Sequence, residues 1–82
     1  MGLKKLAAKV AEYQKRLEAG KAQKIEPEHV EKVLDKLRRK EADLLSRMAT
    51  ETDADERAEL DRKLRVAREH ISRAEWLIGE IS

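Results

Sequence analysis

The apolar residues of this chain recur three and four apart along most of its length. The most regular run is Leu60, Leu64, Ala67, Ile71, Ala74, Ile78 and Ile81, where spacings of four and three alternate without a break. That period is the mark of a helix whose one seam packs on another helix. A second run reads Val30, Val33, Leu34, Leu37, Leu44, Leu45 and Met48. A third reads Leu3, Leu6, Ala7, Val10, Tyr13 and Leu17. No segment shows the period-two alternation of a half-buried strand. The predicted fold is all-α, with helices over about 3–19, 27–50 and 54–80.

Local signals set the boundaries. Gly20 follows the first run, where a left-handed residue closes a helix, and a basic link follows at Lys21-Ala22-Gln23-Lys24. Pro27 suits the first helical position, because the N–H it lacks would find no partner there. Ile25 and Val30 stand where a hydrophobic staple would hold the helix start. The second helix is expected to end near Ala49 to Glu51. Asp53, with Glu56 three residues on, reads as a cap for the third, and Asp53, Asp55 and Glu56 suit the positive end of its dipole.

A connection of three to five residues between the second and third helices makes them an antiparallel hairpin. The whole of 1–82 then reads as a single helical domain, with a basic helix and link over 1–25 and a hairpin over 26–82. The third helix also carries a side strip, Val66, His70 and Leu77, to one side of its main seam. That strip receives either the first helix, giving a three-helix bundle, or a second copy of the hairpin. The bundle is favoured, because the link is long enough for the first helix to fold back.

Glu41 interrupts the stripe of the second helix between Leu37 and Leu44. A charge there is expected to reach the edge of the seam and pair with an Arg or Lys, fixing register at a cost in stability.

Composition narrows the picture. The chain has 82 residues, no Phe, one Trp and one Tyr, so its core must be aliphatic. It has no Cys, which excludes disulfides, thiolate zinc sites and a Cys nucleophile. No apolar run approaches the ~18 residues that cross a bilayer. The opening Met1-Gly2-Leu3-Lys4-Lys5 resembles the start of a signal peptide, but Lys9, Glu12, Lys15 and Arg16 follow where an apolar stretch is needed. A cytoplasmic setting is the expectation.

Motifs for chemistry are missing. His29 and His70 are not part of a two-His helical zinc motif, so each is assigned a structural role, as is the Glu26 that precedes His29. The acidic turn at Asp53-Ala54-Asp55 fails as a calcium loop, since Ala58 and Leu64 occupy the positions that need Gly and Glu. Ser46, Ser72 and Ser82 lie in no nucleophile elbow, and Gly2, Gly20 and Gly79 form no phosphate-cradling loop. No catalysis, metal, cofactor or small-molecule substrate is expected.

Candidate partner-binding residues remain. Residues 1–25 carry a net charge of +5, against −1 for 26–51 and −2 for 52–82. Lys4, Lys5, Lys9, Lys15 and Arg16 flank the apolar stripe of the first helix, a pattern that serves a partner groove or an anionic surface. Trp76 falls on a charged side of the third helix with Arg62, Arg65, Glu69, Ser72 and Glu80, away from the seam. It is either covered by Arg73 or by the chain ends, or it is an interface anchor. Val66 and Leu77 of the side strip complete the candidate set. The basic triplet Arg38-Arg39-Lys40 and the run Arg62, Lys63, Arg65 and Arg68 are interleaved with acids, which weakens their field on phosphate. The expected function is a helical protein–protein interaction or adaptor module, acting through exposed helix faces toward a protein partner or a second copy of itself. A nucleic-acid-associated protein using the basic first segment, and a module lying on a membrane surface through that helix, are the alternatives.

Overall fold

A computed structural model describes residues 2–81. Helix α1 spans Leu3–Glu18, a short 3-10 turn covers Ala22–Lys24, α2 spans Pro27–Thr50 and α3 spans Ala54–Ile81. The described residues contain no strand. The helices pack into a rod of 47 × 19 × 18 Å. The first helix does fold back, and the chain is a three-helix bundle built on an antiparallel hairpin.

The ends are closed as the local sequence requires. Gly20 adopts φ +74°. The Lys21 N–H donates to the Arg16 carbonyl at 2.8 Å, and the Gly20 N–H donates to the Leu17 carbonyl at 3.1 Å. These two bonds form the Schellman closure that a left-handed residue permits. At the hairpin turn, the Asp53 carboxylate accepts the Asp55 N–H at 2.9 Å. The Glu51 carboxylate accepts the Asp53 N–H at 3.0 Å, so side-chain oxygens hold both the turn and the start of α3. Pro27 opens α2 with no side-chain cap at Glu26. Ile25 and Val30 are both buried in one cluster, which is the staple contact.

At ~1.5 Å per residue, α1 is roughly 24 Å long and α3 roughly 42 Å. The shorter α1 therefore covers only part of the hairpin, and the core divides accordingly. The larger cluster unites Leu6 and Val10 of α1 with Val30, Val33, Leu34 and Leu37 of α2 and Ile71, Ala74 and Leu77 of α3. The smaller one, nearer the turn, holds Leu44, Leu60, Leu64 and Ala67, and Leu3 is the α1 residue packed against it.

The side strip receives α1, as the bundle requires, and this corrects one candidate partner contact: Leu77 is 0% exposed and lies in the main core, closed to any other molecule. Ile78, a seam residue by spacing, is only partly buried. The cause is α1, which arrives on the Leu77 side and widens the core there. Coverage fades along the strip: Leu77 is enclosed, His70 is half-buried, and Val66 is 42% exposed. The Nδ1 atom of His70 is buried without a hydrogen-bond partner.

Glu41 takes the place expected of it. Its carboxylate accepts from Arg68 Nε at 3.0 Å across the α2–α3 seam. Arg38 and Glu75 approach to 3.8 Å along the same edge. These pairs lie at the margin of the seam, where they set register more than stability.

Candidate interaction surfaces

The α1 cations do not form one patch. At ~100° per residue, Lys5, Lys9 and Arg16 fall on the side of α1 toward α2, and Lys4 and Lys15 fall on its outer face. Arg16 is tied down: it bonds Glu12 at 2.8 Å and lies 5.8 Å from the centre of the Tyr13 ring. Lys15 borders a hollow formed only by α1 and the residues just after it, with Ala8, Ala11 and Lys21. Lys9 lines a groove shared with α2 residues.

That groove was not anticipated. It is lined by Lys9, Tyr13, His29, Lys32, Val33 and Lys36, with no acid among them. The next hollow along α2 adds Arg39, Lys40 and Asp43 to Lys36. Toward the link, Lys24, Glu12 and Glu26 join. There the Glu26 carboxylate lies 3.1 Å from His29 Nε2, so the first-turn histidine has a local neighbour. In sequence the charges of α2 alternate in sign. On the helix they partly separate: His29, Lys36 and Lys40 share one side and Glu31 and Asp35 another, while Lys32 stands between, four residues after Glu28 and three before Asp35.

The other surface is the outer side of α3. Trp76 is 51% exposed, and with Gln14, Glu69, Ser72 and Arg73 it lines a shallow hollow between α1 and α3. The expected alternative of an Arg73 lid is not realised, because Arg73 bonds Glu69 at 2.8 Å instead. Glu69, Ser72 and Arg73 are the neighbours that the sequence places beside Trp76, and Gln14 of α1 is the one it does not. Gln14 in turn donates to Glu18 at 3.3 Å. Val66 lies on the same outer side, ten residues before Trp76. Leu45, 43% exposed, is the other large apolar side chain at the surface. By helical position it lies with Arg38 and Glu41, on the edge of the hairpin away from α1.

The described residues include no group of three or more His, Cys, Asp or Glu placed to hold a metal ion. No helix among them is long and apolar enough to cross a membrane. The hollows on the rod are open to solvent. No family model, characterised protein or solved structure matches the chain.

Proposed function

We propose that this protein is a small helical interaction module that binds another polypeptide helix along the outer side of α3. The observation that carries this reading is Trp76. A single tryptophan stands half in solvent at the rim of a trough between two helices. Arg73 beside it is bonded to Glu69, and half of the tryptophan surface stays open to solvent. Tryptophan presents a large rigid apolar area with little entropy to lose, which is why it anchors interfaces. The trough between α1 and α3 has the form that receives a helix.

A photo-crosslinking aromatic residue placed at position 76, in the cell that makes the protein, tests this. The expected result is a covalent adduct from position 76 and none from the same residue placed at Ser46. Absence of an adduct at 76, or equal adducts from both positions, would remove the reading.

A second reading rests on a different observation. The groove between α1 and α2 is lined by Lys9, Lys32 and Lys36 together with Tyr13 and His29, and cations beside an aromatic ring suit the phosphates and bases of single-stranded nucleic acid. Binding that weakens steeply with salt and is lost in Lys9→Glu with Lys32→Glu supports it. No binding at low salt to either RNA or DNA removes it. A membrane surface would meet only the charged side of α1, whose apolar residues Leu6 and Val10 lie in the core.

A further inference from the structure

We infer that the helix received by the α3 face is α3 of a second copy, in a two-fold antiparallel pairing. This inference rests on the interaction reading above and names its partner. The outer side of α3 carries a second row of positions, Arg62, Val66, Glu69, Arg73, Trp76 and Glu80, again spaced four and three apart. At ~100° per residue these six fall within about 80° of one another, so they form one strip down the helix. Each of them is exposed.

The strip is complementary to its own reverse. Ile71 lies at its centre. Glu69 and Arg73 stand two residues to either side of Ile71, Val66 and Trp76 five, and Arg62 and Glu80 nine. A two-fold axis through the level of Ile71, normal to α3, places each residue opposite its counterpart on the other copy. Glu69 then meets Arg73 of the second copy, Val66 meets its Trp76, and Arg62 meets its Glu80. Every layer is paired: two opposite-charge pairs at the centre, an apolar pair on each flank, and an opposite-charge pair at each end. A closed two-fold contact requires this self-complementarity, because each residue's partner must itself find the first residue. Parallel pairing in register would instead set Glu69 on Glu69 and Arg73 on Arg73. The antiparallel arrangement is therefore the one that the charges select.

The pairing also accounts for two features of the isolated chain. The Glu69–Arg73 bond within one helix holds both side chains on the outer face, where each can share its charge with the second copy. Trp76 gains an apolar neighbour in Val66 of that copy, and Val66 gains Trp76, although within one chain these exposed residues lie ten positions apart. The strip is only about 27 Å long at ~1.5 Å per residue. The dimer thus belongs to the weak, concentration-dependent class of association.

The test is a mixing experiment. Sedimentation equilibrium from about ten micromolar to about one millimolar, a span suited to a weak contact, is run on the parent chain and on Glu69→Arg and Arg73→Glu. Each variant alone faces like charges twice across the two-fold axis, and its self-association should weaken by roughly tenfold or more. An equimolar mixture of the two restores both attractive pairs and should recover the dimer mass. Emission of the single tryptophan should shift to the blue with concentration in the parent and in the mixture, and stay fixed in each variant alone. Melting followed by circular dichroism verifies that the variants fold. If either does not, Arg62→Glu and Glu80→Arg apply the same scheme at the strip ends. A parent chain that stays monomeric, variants that associate as the parent does, or a mixture that stays monomeric overturns the pairing. A crosslink from position 76 to a different protein, together with a monomeric parent, overturns self-pairing while leaving the interaction module intact.

Discussion

Leu77→Ala and Ile78→Ala form a matched pair that tests where α1 docks. By spacing alone, Ile78 belongs to the main seam of α3 and Leu77 to its side. In the folded chain the ranks are reversed: Leu77 is 0% exposed, while Ile78 is only partly buried against the same cluster. Truncating a fully enclosed leucine costs about 3–5 kcal/mol, since lost transfer energy and a residual cavity add together. Truncating a half-covered isoleucine, whose site relaxes toward solvent, costs about 1 kcal/mol. For a chain of this length, 1 kcal/mol moves the melting temperature by roughly 6 °C. Leu77→Ala should therefore lower Tm by roughly 20 °C or leave the chain unfolded at ambient temperature, and Ile78→Ala by roughly 6 °C. Circular dichroism at 222 nm during heating and in urea reads both. Equal losses, or a larger loss for Ile78→Ala, would mean that α1 does not widen the core at Leu77 and that the hairpin seam runs on to the end of α3 alone.

Two further substitutions probe the ends and the seam. Gly20→Ala meets no steric obstacle, so its cost is that of holding a left-handed backbone with a Cβ, about 1–2 kcal/mol. A fall of roughly 6–12 °C in Tm is expected, and an unchanged Tm would refute the Schellman closure. Glu41→Leu removes one marginal ion pair, worth about 0–1 kcal/mol, from a position whose carboxylate side chain is only 29% exposed. Arg68, at 56% exposure, can return to water. Burying the leucine should raise Tm by several degrees or change the mass in solution, and no change in either would remove the register role of Glu41.

The hairpin was legible because its information is one-dimensional. Spacings of three and four name the seam residues, Pro27 and Gly20 mark ends, and a turn of three residues leaves no other topology. What resisted the linear reading was everything decided by α1. A straight helix drifts about 20° per heptad from a strict seven-residue repeat, so near its C-terminus α3 turns the Leu77 side toward whatever lies there. Whether α1 lies there depends on a fold-back that spacing does not encode. The basic groove was hidden for a related reason. Lys36 follows Asp35 directly along the chain, yet the helical turn carries the two about 100° apart, so Lys36 lines the groove and Asp35 does not. Trp76 was visible as an anomaly from the start. Its full setting was not, because Gln14 comes to it from α1.

In the pairing proposed above, folding and association draw on separate faces of α3, and this makes the two measurable independently. The core takes Leu60, Leu64, Ala67, Ile71, Ala74 and Leu77. The outer strip takes Val66, Glu69, Arg73 and Trp76, none of which is buried. A charge reversal on the outer strip forfeits an exposed pair at i and i+4, a few tenths of a kcal/mol of helix stability. The same reversal changes two contacts at once in a two-fold dimer. Association should therefore respond far more than Tm measured at low concentration. A core substitution behaves oppositely, lowering Tm at every concentration and weakening association only through the fraction unfolded. Were Glu69→Arg to lower Tm at low concentration as much as a core truncation does, the separation of faces would be wrong, and the strip would have to contribute to the fold of the single chain.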